Sequence, residues 1–565
     1  MSILSNSAII GLLGAPEAAG GGYEIEKSVR FNSSDSAYLS RTPASAGNRK
    51  TWTWAGWVKR GLLNNNTTYQ VIFSAGTGDP PRDDFYFDSD VEDTLSFYSS
   101  GGLYGVGTLA FRTNAVFRDP SAWYHIVLVL DTPNATSTDR LRLYVNGLRQ
   151  TFSTYVAPTQ NADSLLNSST DHAIGREEGQ NNEYLDAYLA DIHFIDGQAL
   201  DPTSFGEFDD NGIWQPKAYT GTYGTNGFHL PFDDNSTAAA LGTDTSGNSN
   251  TWTVNNISVA AGAGNDSLVD VPTNGAETDT GVGGEVRGNY FTGNPLDNGG
   301  LAFANGNLDL STTSSTDLTV RGTIGITSGK WYWEVTATNL VTNPFDKISV
   351  VGITTANSVL PSYVGSNATS WGYVNHTGQK VTNGSGSPYG DTWVTNDVIG
   401  ISFDADNGKL FFAKNNTWQG SGDPVAGTNA AFTGLTSGPY LPAFNLKTSG
   451  ASLTINAGSR PFAYTAPSGF KALCTANLAS TTITTSGSYT GNGVADGPFV
   501  YLNGVPTAMT VGGNSVTFGT DADKLSNGFK IRTTSTTYNQ NANTYNYTIT
   551  STGAPFKKAR AQPNP

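Results

Sequence analysis

The chain of 565 residues is too long for a single hydrophobic core, and ordinary domain sizes predict three or four units. Gly occurs 66 times, aromatic residues reach 11% and charged residues only 14%, which excludes a mainly helical protein and favours short strands joined by turns. Lys plus Arg is 31 against 47 for Asp plus Glu, and without a basic stripe nucleic acid is excluded as an expected partner.

Residues 1–24 are predicted to form an N-terminal attachment arm and hinge. The apolar run at 8–15 is far shorter than a membrane-spanning helix, and no Lys or Arg precedes it. We therefore expect neither membrane insertion nor a signal peptide, and we interpret the run as an arm that docks on a partner subunit. The Gly-rich stretch at 16–23 then supplies a flexible hinge.

Residues 25–215 read as a series of strands bounded by Gly, Asn, Asp or Pro. The strand-like segments are 28–31, 52–59, 123–130, 141–149 and 188–195. Asn146-Gly147 predicts a tight hairpin turn, because such a turn needs two positive φ angles. In this order the segments resemble the laminin-G-like, concanavalin A-like jelly roll. The resemblance implies a binding module, and some members of that family hold calcium at the sandwich rim.

Residues 216–288 are rich in Gly, Asn, Ser, Thr and Asp and read as a connector that packs on the first sandwich. A structureless loop of this length is unusual in a compact domain. We therefore expect at least two of its segments to add edge strands to the sandwich.

Residues 289–473 carry a second series of strand-like segments. Among them, Gly-Lys-Trp-Tyr-Trp-Glu-Val at 329–335 and Gly-Ile-Ser-Phe-Asp at 400–404 closely resemble the SPRY (B30.2-like) domain. That family is a bent β-sandwich that presents loops to a partner. The predicted fold class is therefore all-β, with two concanavalin A-like sandwiches in series, a small C-terminal β domain and an N-terminal arm.

Residues 474–565 predict the small C-terminal β domain, with an Asn-Gly turn at 503–504. A core of this size is marginal alone, so it is expected to dock on its neighbour or to trimerise. Cys474, the only cysteine, is interpreted as a small buried apolar residue. For the basic tail at 556–560, a solvated terminus is favoured over a docking peptide.

Reactive groups for catalysis are scarce, and no catalytic residue is predicted. His125 and His193 lie inside apolar strand segments and are interpreted as structural. The other three histidines are His172, His229 and His376. Their spacing matches no zinc motif. The alternating carboxylates of a retaining glycosidase are absent too, so a non-enzymatic protein is expected.

One acidic segment offers a metal site. Asp83, Asp84, Asp88 and Asp90 place four hard oxygen ligands close together in the sequence, and Ca²⁺ is the ion that such ligands bind. A solvated acidic loop is the favoured alternative.

A ligand site is predicted on loops of the second sandwich. Exposed rings offer flat faces to sugars, and neighbouring polar groups bind hydroxyls. The residues of this prediction are Trp371, Tyr373, His376, Tyr389 and Trp418. The favoured alternative for each aromatic is that it fills the sandwich interior.

The order of units is similar to tail-fibre or capsid-associated proteins of marine and cyanobacterial phages. This resemblance implies a virion protein that contacts other virion proteins through the N-terminal arm and binds a host-surface glycan or protein. We expect a homo-oligomer, for which a trimer is one arrangement, although no heptad repeat enforces it. Two alternatives remain open: a carbohydrate-active depolymerase and a bacterial surface adhesin.

Overall fold

The computed structural model describes residues 22–63, 68–78, 80–91, 93–276, 286–340, 349–479 and 482–565. The chain forms two β-sandwiches in series followed by smaller sheets, so the predicted all-β class is confirmed. Nearly all of the predicted N-terminal arm, residues 1–21, lies outside the described residues. None of the helices in the described ranges has the length and apolar character needed to cross a bilayer.

The helical elements are short. The described residues contain one α-helical turn, Thr536–Asn539. The 3₁₀ turns are Ser33–Asp35, Ser137–Asp139, Pro202–Ser204, Ala239–Gly242, Gln419–Ser421 and Phe556–Lys558.

The first sandwich packs two antiparallel sheets of eight strands, which we name the front sheet and the back sheet. The front sheet runs in the order Leu148–Arg149, Leu141–Val145, Tyr124–Asp131, Thr51–Arg60, Ala187–Asp196, Ser28–Phe31 and Ser267–Leu268, with Phe228–Leu230 beside Ala187–Asp196. The back sheet runs in the order Phe152–Tyr155, Thr108–Val116, Thr94–Ser99, Arg82–Phe87, Gln70–Gly76, Asp171–Ile174, Tyr38–Arg41 and Thr253–Asn255. A separate hairpin pairs Gly206–Phe208 with Trp214–Pro216.

Aromatic side chains fill the space between the two sheets. Trp52 and Trp54 of the front sheet are fully buried, and the ring of Trp54 lies 5.9 Å from that of Phe85 on the back sheet. The predicted turn is confirmed, because Asn146 has φ 48° and Gly147 has φ 79°. These features follow from alternating apolar residues and turn chemistry.

Three segments of the connector form strands on the first sandwich. Phe228–Leu230 and Ser267–Leu268 extend the front sheet, and Thr253–Asn255 extends the back sheet. The connector thus covers backbone groups that a free sheet edge would expose.

The second sandwich has one seven-stranded and one eight-stranded sheet. The first is Gly293–Asn298, Leu318–Gly322, Tyr440–Leu446, Ser349–Thr355, Ser370–Val374, Gln379–Thr382 and Ser385–Pro388. The second is Ala302–Ala304, Asp309–Ser311, Ser452–Asn456, Lys330–Asn339, Val398–Asp404, Lys409–Lys414 and Thr417–Trp418, with Lys471–Ala472 parallel to Lys330–Asn339. Cys474 is buried in this core, as predicted.

The C-terminal unit has two small sheets. One contains Ser486–Thr490, Thr544–Pro555, Gly504–Val511 and Asn514–Ser515, and the other Phe499–Tyr501, Gly528–Ile531 and Ala522–Leu525. The unit contacts both sandwiches: the Ser526 amide donates to Asp119, at 2.7 Å, and the Asn527 side chain donates to the Thr323 carbonyl, at 2.8 Å. Its small core is therefore completed by its neighbours.

The basic tail is docked, with Arg560 buried and Lys557 and Lys558 half-buried, so the favoured prediction of a solvated terminus is wrong. Arg560 donates to the Trp214 carbonyl at 2.7 Å and the Pro272 carbonyl at 2.8 Å, and its guanidinium lies 5.0 Å from the ring centroid of Trp57. Ala561 then donates its amide to the Trp123 carbonyl. Backbone acceptors and an aromatic face on the first sandwich satisfy the Arg560 cation. The basic charge of the tail in the sequence could not indicate these partners.

A buried ion pair joins the first sandwich to the start of the second. The Lys59 ammonium donates to Asp270 at 2.7 Å, to the Asn289 side chain at 2.8 Å and to the Tyr290 carbonyl at 3.0 Å. Burial lowers the pKa of Lys59 and raises the pKa of Asp270, so for both groups desolvation outweighs their mutual attraction. The pair therefore stabilises the junction only while both partners are present.

We expect Lys59→Met to lower the free energy of unfolding by about 3–5 kcal/mol, because Asp270 is left as an uncompensated buried charge. The double variant Lys59→Met/Asp270→Asn should recover part of this loss. Urea denaturation of the single and double variants measures both effects. If the double variant loses as much unfolding free energy as the two single variants lose together, the coupling is contradicted.

Candidate functional site

The aromatic residues predicted as a ligand platform lie mostly in the second core. Tyr373 is fully buried and its hydroxyl donates to the Asp391 carbonyl, while Tyr389 packs beside it at 5.7 Å between ring centroids. Trp371 packs on Tyr440, and Trp418 joins a small separate apolar cluster. The prediction is corrected for Tyr373, because a fully buried ring has no free face for a sugar.

His376, the fifth residue of that prediction, is half-buried on the loop after the strand Ser370–Val374. Its role in ligand binding stays a prediction. The structure therefore brings Tyr373 and Tyr389 together inside the sandwich, as the alternative interpretation expected, whereas Trp418 packs elsewhere.

The four aspartates predicted to bind calcium do not converge on one point. Asp83 accepts hydrogen bonds from Ser164 Oγ and the Leu165 amide, both at 2.7 Å. Asp88 accepts from Arg112, at 2.8 Å, and exposed Asp90 accepts from a tyrosine hydroxyl. Asp84 faces away from Asp83, because successive side chains of a strand point to opposite faces. The predicted calcium site is corrected on this geometry.

A polar groove of about 330 Å³ crosses the outer face of the back sheet. We name it the tyrosine groove, and its lining residues are Tyr69, Val71, Arg82, Asp84, Tyr86, Tyr98, Glu177, Gln180, Asn182 and Glu183. Its volume lies within the range of small-molecule sites.

Strand alternation places these side chains. In Arg82–Phe87, the rings of Phe85 and Phe87 fill the core, so Asp84 and Tyr86 project to the outer face. Antiparallel register sets Tyr98 directly opposite Asp84 on the next strand. The sequence pattern of apolar and polar residues therefore builds a floor with aromatic and acidic groups side by side.

The groove is held by a few close contacts. Arg82 Nε donates to Asp84 Oδ2 at 2.6 Å, and the guanidinium carbon lies 5.0 Å from the ring centroid of Tyr98. The rings of Tyr69 and Tyr86 lie 4.9 Å apart. These contacts fix ring orientations before any ligand arrives.

Two carboxylate oxygens in the groove are buried and unsatisfied. Asp84 Oδ1 and Glu183 Oε2 have no hydrogen-bond partner within the described part of the chain. Burial raises the pKa of Asp84 well above its usual range, with Glu177 adding to the rise and Arg82 opposing it, and burial also raises the pKa of Glu183. Unpaired buried oxygens are costly, and ligand hydroxyls are donors that would satisfy them.

A larger cavity of about 690 Å³ lies between the first sandwich and the C-terminal unit. Its lining includes the exposed apolar side chains Leu148 and Phe208. These surfaces favour apolar contacts, so the tyrosine groove is the better candidate for a polar ligand.

The structure also assembles a cluster that the sequence did not indicate. Asp191 and His193 lie on the strand Ala187–Asp196, and His229 lies on the connector strand directly opposite His193. The Asp-x-His alternation was a signal for one shared face. The third member, His229, could not be predicted, because local sequence spacing does not show which remote connector strand will pair with Ala187–Asp196.

Comparison with known proteins agrees with the architecture. Residues 32–204 match the family model described as the concanavalin A-like lectin/glucanases superfamily, and residues 330–460 match the model described as the SPRY domain. The chain therefore contains a concanavalin A-like domain and a SPRY domain in series, and both predicted domain resemblances are confirmed. Domains of these two families are typically non-catalytic binding modules.

Similar proteins share only part of this chain. Ran-binding protein 9 of Xenopus tropicalis and that of Xenopus laevis are each 30% identical over 172 residues, which is 29% of this chain and 29% of each relative. The SPRY domain of human HERC1 is 18% identical, with a TM-score of 0.25 over 29% of this chain and 96% of that chain. Stonustoxin is 19% identical, with a TM-score of 0.22 over 29% of this chain and 27% of that chain.

We expect Asp84→Asn to stabilise the protein at pH 8 by about 1 kcal/mol and to have little effect at pH 4. A raised pKa means that the folded chain holds the proton more tightly, so wild-type stability falls as pH rises from about 4 through the folded-state pKa. The amide side chain of the variant carries no charge to desolvate. Denaturation at both pH values, with exposed Asp90→Asn as the surface-charge control, tests the sign. Equal effects at both pH values would contradict it.

Proposed function

We propose that this chain is a non-enzymatic bacteriophage virion protein, a tail fibre or capsid-associated fibre, that binds a host-surface glycan through its first sandwich. The tyrosine groove carries the recognition part of this proposal. It combines aromatic faces with buried oxygens that lack partners within the described residues, on a domain that matches the concanavalin A-like lectin/glucanases superfamily.

The groove favours a sugar without negative charge. Three carboxyl groups, Asp84, Glu177 and Glu183, face one guanidinium, so the groove has no excess of cationic groups to attract an anionic ligand. Sugar C–H faces pack against tyrosine rings, and hydroxyls donate to carboxylate oxygens. We therefore propose a neutral, hydroxyl-rich glycan as the ligand class.

The virion part of the proposal is supported by the order of domains. Two sandwiches and a C-terminal unit that packs on both give a compact body suited to display on a particle, and the charge of −16 limits non-specific adhesion. Attachment through residues 1–24 and a homo-oligomeric, for instance trimeric, state are further parts of the proposal. Protein receptors on the host are the alternative ligand class.

A carbohydrate-active depolymerase is the second candidate function, and one observation favours it. Asp84 and Glu183 line the same groove, and burial raises the pKa of both, as a general acid requires, whereas the second carboxylate of a glycosidase works in its ionised form. Against it, Asp84 is bound to Arg82, and Glu177 accepts from the amides of Gly179 and Gln180. These contacts suit fixed positioning better than proton transfer.

We expect Tyr98→Ala to weaken glycan binding at least about tenfold, because it removes one aromatic face from the groove. Tyr98→Phe should bind nearly as well as wild type, since the face is kept. Tyr464→Ala, on the second sandwich, is the matched control. Glycan-array screening followed by calorimetry with the best neutral oligosaccharide measures the effect.

Four outcomes would overturn parts of this assignment. Equal loss in Tyr464→Ala, or no loss in Tyr98→Ala, would exclude the tyrosine groove. Release of reducing ends from host polysaccharide that is abolished by Asp84→Asn would establish the depolymerase. Absence of the chain from purified virions, probed with antibodies in electron micrographs, would exclude the virion placement.

A further inference from the structure

Asp191, His193 and His229 form a compact cluster on the front sheet, whereas the tyrosine groove lies on the back sheet. Their potential ligand atoms all lie within 4.8 Å of one another. The two imidazole rings are stacked, with centroids 4.2 Å apart and planes inclined by 7°. Parallel rings place both side chains so that they reach the same carboxylate.

The backbone is specially shaped at this point. The register between the strands Thr51–Arg60 and Ala187–Asp196 shifts between Ala190 and His193, and Asp191 has φ 52°. A non-glycine residue in the left-handed region is uncommon, and bulges often redirect a side chain. The shift presents the Asp191 carboxylate to both histidines.

Each histidine is oriented through its Nδ1 atom. His193 Nδ1 lies 2.9 Å from the Tyr223 hydroxyl, and His229 Nδ1 lies 2.8 Å from Thr245 Oγ1. Metal-binding histidines are usually held in this way by a hydrogen bond at the other ring nitrogen. Both Nε2 atoms consequently face Asp191, at 3.3 Å for His193 and 2.8 Å for His229.

One nitrogen of the cluster is poorly satisfied. His193 is 2% exposed, and its Nε2 makes only a long contact of 3.3 Å with Asp191 Oδ2, without good hydrogen-bond geometry. A buried polar nitrogen in this state is costly, and a cation between the three side chains would satisfy it. The Tyr23 hydroxyl donates to Asp191 Oδ1 at 2.8 Å and helps to hold the carboxylate in place.

We propose that Asp191, His193 and His229 bind a divalent transition-metal ion of the zinc class. Two imidazole nitrogens and one carboxylate are a common zinc ligand set, whereas Ca²⁺ and Mg²⁺ prefer oxygen ligands only. Tetrahedral bonds of about 2.0–2.1 Å place neighbouring ligand atoms about 3.3 Å apart. The two imidazole–carboxylate separations are 3.3 and 2.8 Å, and the two stacked rings must turn so that their in-plane lone pairs converge on the ion. The ion clamps the connector strand Phe228–Leu230 to the first sandwich, a role independent of glycan binding.

The test uses the full chain, stripped with a chelator and titrated with Zn²⁺ by calorimetry. We expect one tight equivalent and a rise in melting temperature, because a ligand that binds only the folded state stabilises it. His229→Gln, whose side chain is partly accessible, should weaken binding at least about tenfold. Replacing Zn²⁺ by Co²⁺ should give visible absorption bands in the wild type that the variant lacks.

His376→Gln, a half-buried histidine on the other sandwich, is the matched control and should bind as wild type does. Tyr223→Phe keeps all three ligands and should weaken binding by about 10–100-fold through the lost orientation of His193. Circular dichroism verifies that each variant is folded. Equal affinity of wild type and folded His229→Gln, or no cobalt spectrum in the wild type, would show that the cluster is only a hydrogen-bond network.

Discussion

The pairing of the strand Thr51–Arg60 with the strand Ala187–Asp196 is the interaction on which the rest of the structure depends. It joins the two ends of the first sandwich, and loop-closure entropy makes such distant pairing the demanding step of folding. Asp191 has its unusual backbone angle at the register shift of this pair. Lys59, near the end of the strand Thr51–Arg60, reaches across to Asp270. The front sheet and the junction to the second sandwich are therefore fixed by one strand pair.

Polar groups buried on strands are the second theme of the molecule, and they fall into two kinds. Lys59 and Asp270 satisfy each other at the junction. Asp84 in the tyrosine groove keeps an oxygen that has no partner within the described residues. Under the proposed function, a ligand hydroxyl would donate to this oxygen.

The strands and turns could be predicted from sequence because their signals are local. Alternation identified the Trp52 segment, and Asn146-Gly147 identified its turn. The sites could not, because they depend on which remote segments become neighbours: His229 meets His193 only through a connector strand, and Tyr98 meets Asp84 only through register. The prediction of a ligand site on aromatic-rich loops was wrong at Tyr373 for a different reason. A large aromatic side chain packs in a core as readily as it displays a face to solvent.

The buried C-terminal tail has a mechanical consequence. Its Asn564 bridges to Val116 on the back sheet, while the first strand of the same sandwich begins at Ser28. A pulling force applied between Ser28 and Asn564 therefore passes into the first sandwich at this bridge, and into the C-terminal unit through the hydrogen bonds between Asn564 and Lys524. The SPRY domain lies outside this shortest load path, so it carries tension only after the C-terminal tail has detached.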